Sequence, residues 1–277
     1  MPLHIIINIM PEGPELKIIC DNLNNYLSNK SIHKLTINSG RYFPESRHPA
    51  HYQDFINSLP LRIIDISVKG KLLYFILENN WIILNTMGMS GKWTKHHQNH
   101  CHITLEYDNG KKLWFCDIRR FGTIKFLKSM EQLDKKLKSL GPDMLSGDVT
   151  FEDFEKIAQK YPNKYVTQFM MDQKIISGCG NYIKAESLYR AMISPHKRMN
   201  QINNKDLLTL FNQIKYVINA SYQSQGATIA NFENVDKETG GFTFLVYGRN
   251  TDDFGHTIIH ETTQDGRTTH WVEEIQA

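Results

Sequence analysis

The sequence Met10-Pro11-Glu12-Gly13-Pro14-Glu15 opens the first regular element of the chain. Its prolines and its glycine predict a turn, and apolar residues recur at helical spacing from Leu16 to Leu27. Glu15 then lies near the N-terminus of the predicted helix. Taken alone, this string is as compatible with an ordinary turn before a helix as with a functional site. Its meaning therefore depends on the rest of the chain.

Short β-branched and aromatic runs follow the helix and predict a strand-rich first half. Two of them, Lys71 to Leu77 and Trp81 to Leu84, are separated by a turn that contains two asparagines. A second pair, His102 to Tyr107 and Lys112 to Cys116, is joined by Asp108-Asn109-Gly110 and predicts a hairpin.

The second half is predicted to be helical and to end in strands. Met130 to Leu140 predicts a linker or a short helix, and Thr150 with Asp153 forms a capping signal for the helix after it. The polar, glycine-containing segment 226–241 predicts a mobile loop. The remaining predicted helices are Tyr182 to Ala191 and Lys205 to Tyr222, and the predicted strands are Phe242 to Tyr247, Thr257 to Thr263 and Thr268 to Val272.

Composition places the chain among ordinary globular proteins. Of its 277 residues, 40% are hydrophobic and 22% are charged, and the formal net charge is +3. This balance argues against a disordered chain and is too mild to indicate a nucleic-acid partner by itself. No apolar run is long enough for a transmembrane helix, and the N-terminus lacks the basic region of a secretory signal. We therefore expect an intracellular protein without a membrane partner.

The cysteines and histidines predict no metal site. The four cysteines are scattered without a CxxC pair, which argues against a disulfide framework and favours a reducing compartment. Four histidines flank Cys101, but a polar strand edge explains them better than a metal site because no second cluster would complete the coordination sphere. The residues concerned are Cys20, Cys101, Cys116 and Cys179, and His96, His97, His100 and His102.

Several further motifs follow the opening string in a fixed order. They are Lys69-Gly70-Lys71, Gly88-Met89-Ser90-Gly91, Asp117-Ile118-Arg119-Arg120-Phe121-Gly122, Ser177-Gly178-Cys179-Gly180-Asn181-Tyr182-Ile183-Lys184-Ala185-Glu186, Val246-Tyr247-Gly248-Arg249 and Asp265-Gly266-Arg267-Thr268-Thr269. Each motif is weak alone, but together they resemble the formamidopyrimidine-DNA glycosylase / endonuclease VIII family of base-excision repair. The resemblance extends from Met10 to Gln276.

The resemblance implies an α+β fold with an N-terminal β-sandwich domain, a helical domain containing a helix–two-turns–helix motif, and a C-terminal finger hairpin. The order of strands, helices and hairpin read from the residues agrees with it. The expected divisions are an N-terminal extension (1–9), the catalytic sandwich (10–128), a linker (129–149), the helix–two-turns–helix domain (150–225), the mobile loop (226–241) and the finger (242–277).

The finger departs from the pattern of most of the family. The usual finger carries two CxxC pairs that bind a structural zinc ion, whereas no cysteine of this chain lies beyond residue 179. The finger therefore resembles the zincless version of the endonuclease VIII-like branch. His256, His260 and His270 fit surface or stacking positions better than zinc ligands. We expect no metal and no cofactor.

The resemblance assigns catalytic roles to four residues. Excision followed by strand cleavage requires a nucleophile at the sugar C1′, and an α-amine with a pKa of about 7.7–8.0 is far more often neutral at pH 7 than a lysine with a pKa of about 10.4. Pro11 matches the catalytic proline of the family and would form the Schiff base. Glu12 would be the general acid/base, Lys71 would assist elimination, and Arg267 of the finger would contact phosphates beside the flipped nucleotide.

The extension 1–9 before Met10 conflicts with this assignment, because a proline inside a peptide bond is not a nucleophile. Either translation begins at Met10 or the segment 1–9 is removed. Pro2 is the rival N-terminal proline, but Leu3 supplies no carboxylate beside it. If the extension is retained, the alternative function is that of a non-catalytic, lesion- or structure-specific DNA-binding protein of the same fold.

The expected partner is damaged double- or single-stranded DNA, bound by a monomer. The space left by the flipped base would be filled by three residues that match the family's trio, although Phe121 is also compatible with a core position. Phosphates would be bound near a helix N-terminus and by nearby cations. The trio is Met89, Arg119 and Phe121, and the phosphate ligands are Asn181 and Arg120, with Lys164 and His100 as weaker candidates.

Overall fold

A computed structural model describes residues 11–228 and 234–276. The N-terminal extension 1–9, Met10 and part of the predicted loop, 229–233, lie outside the described residues. The first domain contains α1 (Gly13–Leu27), β1 (Ser31–Ile37), α2 (Tyr52–Asn57), β2 (Leu61–Lys69), β3 (Leu72–Leu77), β4 (Ile82–Thr86), β5 (Gly91–Thr94), β6 (Cys101–Tyr107), β7 (Lys111–Asp117) and β8 (Thr123–Leu127). The predicted first helix and both strand pairs are thereby confirmed.

The eight strands form one antiparallel sheet that folds into two layers. Its order is β5-β7-β6-β1-β2-β3-β4-β8, and β1 pairs with β2 over only two residues. Although β5 and β4 lie near opposite ends of this order, Trp93 Nε1 of β5 donates to Asn85 Oδ1 of β4 (2.9 Å). The Trp93 ring also lies 6.1 Å from that of Phe75 in β3. These buried contacts join the layers as a sandwich, which agrees with the predicted α+β fold.

The second half is helical, as predicted. It contains α3 (Met130–Lys138), α4 (Phe151–Gln159), α5 (Val166–Met171), α6 (Asn181–Arg190) and α7 (Asn204–Gln223). Thr150 and Asp153 form the predicted capping box of α4. Between α5 and α6, Gln173 organises the two turns, because its Oε1 accepts from Gly178 N–H and its Nε2 donates to Cys179 O. Among the described residues, no helix has the length and apolar character needed to cross a bilayer.

Helix α1 connects the two halves. Leu16, Ile19 and Leu23 are almost completely buried and belong to one core that continues from the sandwich into the helical half. The side chain of Asn24 fixes α1 on β2 by donating to Ile66 O (2.7 Å). The N-terminus of α1 is therefore held between the sheet and the helices by packing rather than by a flexible linker.

The C-terminal finger differs in part from the prediction. Strands β9 (Ile259–Thr262) and β10 (Thr268–Trp271) form the predicted hairpin. The predicted strand from Phe242 to Tyr247 is wrong. The buried carboxylate of Glu186 instead accepts hydrogen bonds from the backbone N–H groups of 245, 246 and 247, at 2.9–3.1 Å. A carboxylate on α6 thus satisfies the donors that a partner strand would otherwise pair.

One disulfide bond links neighbouring strands. Cys101 of β6 and Cys116 of β7 face each other in the sheet register and are bonded. The scattered cysteines argue against a disulfide framework, and no sequence pattern indicates this single pair. Their separation of 15 residues forms no recognisable motif until the strand register is known.

Removing the Glu186 carboxylate should loosen the finger. Glu186→Ala leaves three backbone donors without their acceptor, and each buried unsatisfied group costs about 1–3 kcal/mol. We expect the free energy of unfolding to fall by about 3 kcal/mol or more. Urea denaturation measures the loss, and limited proteolysis shows whether the chain becomes accessible after residue 241. Glu274→Ala, at an exposed finger position, is the control. Equal stability of the two variants would contradict this role of Glu186.

Candidate active site

Three glycine-containing turns meet at the start of α1. Gly13 N–H donates to Gly178 O (2.9 Å), so α1 begins against the turn that precedes α6. Gly70, between β2 and β3, has a φ of +57°. A Cβ atom at this position would lie only 2.6 Å from Ser177 Cβ. Both the positive φ and the close approach require glycine. Motifs that are far apart in the sequence are therefore brought to one place.

Glu12 lies at this junction with its carboxylate against the N-terminus of α6. Its Oε1 accepts from Tyr182 N–H (2.9 Å) and its Oε2 accepts from Ile183 N–H (3.3 Å). These are donors that the first turn of a helix leaves unpaired. Burial raises the pKa of Glu12 to about 7, the Lys71 charge opposes this rise, and the Glu15 charge adds to it. Near neutral pH, Glu12 can therefore both release and accept a proton.

Lys71 and Glu12 share the space above Gly180. A Cβ atom at Gly180 would overlap the Glu12 carboxyl group and Lys71 Nζ. The missing side chain of Gly180 therefore allows the ammonium and the carboxylate to approach the same point. Pro11 and Lys71 also line one cavity of about 270 Å³, together with Gln173 and residues of the sheet. Pro11, Glu12 and Lys71 are thus brought close together in the structure.

Glu15 is a further buried carboxylate at this site, although the sequence pattern indicates it only as a residue at the start of the helix. Its Oε2 accepts from Glu12 N–H (2.9 Å), and its Oε1 accepts from Tyr182 OH (3.0 Å), Ser221 Oγ (3.2 Å) and Ala227 N–H (3.0 Å). Glu15 therefore ties the backbone of Glu12 to α6, to α7 and to the segment after α7. The last three partners lie more than 160 residues away, so no local sequence pattern indicates them.

The predicted void-filling trio lies on two adjacent loops. Met89 is in the β4–β5 turn, whereas Arg119 and Phe121 are in the β7–β8 loop. Asp117 joins the loops, because its Oδ1 accepts from Ser90 Oγ (2.5 Å) and its Oδ2 accepts from the backbone N–H of residue 122 (2.7 Å). The Phe121 side chain is 54% exposed, so the alternative of a core position is wrong.

Two cations extend from this loop. The Arg119 guanidinium lies 5.2 Å from the centre of the Phe121 ring, and both residues are exposed. Arg120 is exposed and has a φ of +58°. The loop therefore presents an aromatic ring and two positive charges at the protein surface.

The histidines near β6 have separate environments. His100 is exposed and has a φ of +65°. His102 is buried, and its ring nitrogens contact Ser39 Oγ (2.7 Å) and Asp117 O (3.0 Å), so it supports the loops. Within residues 11–228 and 234–276, no three His, Cys, Asp or Glu side chains are grouped as metal ligands are.

The finger hairpin lies beside the N-terminus of α6. Asn181 Nδ2 donates to Thr268 O (2.8 Å) and to Tyr247 OH (3.3 Å), which both belong to the finger. Arg267 is exposed and follows Gly266, whose φ of +74° closes the turn. Lys164 lies near α5 and pairs with Asp172 (2.8 Å), which partly neutralises its charge.

Two further parts of the cysteine-free finger are fixed by packing and by a buried carboxylate. Val272 is completely buried. In the loop 250–256, Asp252 Oδ1 accepts from the N–H groups of Phe254 and His256 (both 2.9 Å). Its Oδ2 accepts from Tyr189 OH (2.8 Å). A carboxylate therefore organises this loop and attaches it to α6.

Comparisons with known proteins agree with this arrangement. Residues 10–124 match the formamidopyrimidine-DNA glycosylase N-terminal domain, and residues 140–233 match the formamidopyrimidine-DNA glycosylase H2TH domain. The chain is 32% identical to the formamidopyrimidine-DNA glycosylase of Rickettsia felis, covering 96% of this chain and 98% of that protein. It is 28% identical to the Bacillus subtilis protein of the same name, with 96% and 99% covered.

Solved structures show the same fold. The MutM (Fpg) protein of Thermus thermophilus superposes with a TM-score of 0.84 at 24% identity, covering 96% of this chain and 98% of that one. The Lactococcus lactis Fpg in complex with DNA containing an abasic site gives a TM-score of 0.84 at 23% identity, with 96% and 99% covered. Since the two family domains match most of the chain, the protein belongs to the formamidopyrimidine-DNA glycosylase / endonuclease VIII family of DNA glycosylases and abasic-site lyases.

Proposed function

We propose that this protein removes oxidised bases from DNA through a Schiff base on Pro11 and cuts the strand by β,δ-elimination. The observation that carries the proposal is the approach of Glu12 and Lys71 to one point above Gly180, beside the cavity lined by Pro11. This arrangement supplies a potential amine nucleophile, a carboxyl group with a pKa of about 7 and a cation in a small volume.

The reaction follows from these groups. The neutral amine of Pro11 attacks C1′ and loses its proton, and the base leaves with the electron pair of its glycosidic bond. The C1′–O4′ bond then breaks, so that the nitrogen lone pair forms the iminium and the ring oxygen becomes a hydroxyl group. Glu12 provides a proton to the ring oxygen or to the departing base. The resulting iminium acidifies the C2′ hydrogen, so that its removal expels the 3′ phosphate and a second elimination expels the 5′ phosphate. Lys71 stabilises the phosphate charge during elimination.

DNA binding is proposed for the loops around this site. Met89, Arg119 and Phe121 would fill the space left by the flipped base. Phosphates would be bound by the α6 N-terminus with Asn181, by Arg267, Arg120, Lys164 and His100, in damaged double- or single-stranded DNA. We propose that the protein acts as a monomer and that its finger binds no zinc. We also propose that the chain divides into its domains and connecting segments after residues 128, 149, 225 and 241.

Oxidised pyrimidines are the proposed preferred bases, with ring-opened purines as a second class. The cysteine-free finger, which resembles the endonuclease VIII-like branch, supports pyrimidines. The name shared by the relatives refers to formamidopyrimidines, which are ring-opened purines. Excision rates on duplexes that carry one lesion of each class test this preference.

The second candidate function is non-catalytic binding of damaged DNA. It is favoured by one observation: Pro11 is preceded by ten residues in the chain, and its nitrogen is then an amide. The state of the N-terminus distinguishes the two functions.

Borohydride trapping tests Pro11 as the nucleophile. A chain beginning at Met10 should lose this methionine and form a covalent complex with abasic-site DNA when the Schiff base is reduced. The full chain beginning at Met1 should do so only after its extension is removed, because an amide nitrogen cannot attack C1′. Intact-mass measurement of each trapped species identifies its N-terminus. Efficient trapping by a chain that retains Met1 would exclude Pro11 and indicate a lysine.

Glu12→Gln tests the buried acid. We expect excision to fall by about 100-fold or more, because a general acid is lost. Burial raises the pKa of Glu12 from 4.5 to about 7, so the folded state binds a proton more tightly than the unfolded state. Ionisation of Glu12 therefore destabilises the wild type as the pH rises from 4.5 to 7.

The same substitution should lower activity but make the protein more stable than the wild type as the pH rises. Relative to wild type, Glu12→Gln should gain about 2–4 kcal/mol between about pH 4.5 and pH 8. Denaturant unfolding at these two pH values measures the gain, and single-turnover kinetics measures the loss of excision. A variant that is inactive because it unfolds at the higher pH would contradict this role.

Arg267→Ala tests the finger arginine. Its side chain is exposed in a turn, so we expect a change in the free energy of unfolding within about 0.5 kcal/mol. Base excision from duplex DNA should fall by about tenfold or more, which corresponds to about 1.4 kcal/mol of transition-state stabilisation. Cleavage at a preformed abasic site should fall less, because no base remains to be extruded. Unimpaired single-turnover rates on both substrates would remove Arg267 from the site.

A further inference from the structure

A completely buried ion pair connects α6 to the finger hairpin. Lys184 Nζ donates to Asp265 Oδ2 at 2.7 Å, and the two side chains are 0% and 2% exposed. Neither residue has a role in the reaction described above. Burying two charges carries a large desolvation cost, which is recovered only when their geometry is good. The pair therefore constrains where the hairpin lies relative to α6.

On the hairpin side, the ion pair is part of the turn that presents Arg267. Thr263 Oγ1 donates to Asp265 Oδ1 (2.5 Å), and Thr263 N–H donates to Arg267 O (3.1 Å). Gly266 N–H donates back to Thr263 O (2.8 Å). The turn is thus closed by its own hydrogen bonds, and its acidic residue is held by Lys184. A movement of Asp265 would move the backbone of Arg267 with it.

On the helix side, Lys184 directly follows the two residues whose N–H groups hold Glu12. Burial lowers the pKa of Lys184, the neighbouring Asp265 carboxylate opposes this, and the charges of Glu12 and Arg267 also act on the ammonium group. The Lys184 ammonium group is therefore influenced by the charges of both the carboxyl group of the reaction centre and the arginine of the finger. The position of the Lys184 side chain is therefore linked both to the Glu12 site and to the turn that carries Arg267.

We propose that Lys184 is a positioning residue for base excision: its ion pair with Asp265 holds the turn that carries Arg267 at a fixed place beside α6 and Glu12. This inference rests on the proposed function of the site. The pair specifies geometry rather than adding stability, because a buried ion pair is at best weakly stabilising compared with apolar packing. In a finger that contains no cysteine, the pair supplies a rigid attachment near the tip of the hairpin.

The test is a double-mutant cycle between Lys184→Met and Arg267→Ala, read by single-turnover excision from duplex DNA. Lys184→Met should lower the rate by about fivefold to tenfold, and cleavage at a preformed abasic site should change less. In the Arg267→Ala background, Lys184→Met should cause no further loss beyond about twofold, because the pair acts through Arg267. Equal losses in both backgrounds would indicate a merely structural role and overturn the inference.

Three further variants keep the test interpretable. Asp265→Asn removes the same pair with little change in size, and it should reproduce the rates of Lys184→Met even if the latter folds poorly. Lys184→Arg retains the charge and should restore excision to within about threefold of wild type. Val272→Ala, a truncation of a buried finger residue, is the stability control and should lower the melting temperature without changing the ratio of excision to abasic-site cleavage.

Binding separates failure of this inference from failure of the proposed function. The affinity for a duplex carrying a stable abasic-site analogue is measured for the same four members of the cycle. A wild-type protein that neither excises bases nor cleaves abasic sites would overturn the proposed function. The coupling between Lys184 and Arg267 would then be calculated from the four affinities alone. An unchanged affinity and unchanged rates in both Lys184→Met and Asp265→Asn would overturn the role of the ion pair.

Discussion

The carboxylate of Glu12 against the N-terminus of α6 is the interaction on which the rest of the structure depends. Burying this group is costly, and the two helix N–H groups that it meets only partly offset the cost, as its raised pKa indicates. The contact requires the first turn of α1 to touch the first turn of α6. It therefore determines how the sandwich and the helical half are joined. Gly13, Gly70 and Gly180 each remove a side chain that would prevent this approach.

Buried carboxylates perform a similar task in the finger. Glu186 binds the backbone of 245–247, Asp252 organises the loop 250–256, and Asp265 pairs with Lys184. A bound zinc ion would constrain such a hairpin through four ligands at one point. Here the constraints are distributed over separate positions, and each joins the finger to α6 or closes one of its loops. The hairpin is thereby attached to the same helix that holds Glu12.

Local patterns were sufficient to predict the elements whose determinants are local, but not the contacts made by distant segments. The spacing from Leu16 to Leu27, the cap at Thr150 and the turn at 108–110 each specify their element by neighbouring residues. The strand predicted from Phe242 to Tyr247 failed because its amides are bound by Glu186, about 60 residues earlier in the chain. The same limit concealed Glu15, whose partners come from three distant segments.

Pro11, Glu12 and Lys71 were predicted only from the order of motifs and their resemblance to a family, because nothing in their spacing requires them to meet. Lys184 could not be distinguished from a solvated helix residue, since helical periodicity does not show that an incoming hairpin covers it.

The protonation state of Glu12 follows from a balance between burial and the charges and N–H groups around it. Burial and the Glu15 charge favour the neutral acid of Glu12, whereas Lys71 and the helix N–H groups favour the anion. A free amine at Pro11 would lie one residue from this carboxyl group, and its cationic form would also favour the anion. Release of a proton from the amine would remove that charge and favour the neutral acid of Glu12. In a chain that begins at Pro11, formation of the nucleophile and protonation of the acid would therefore be coupled.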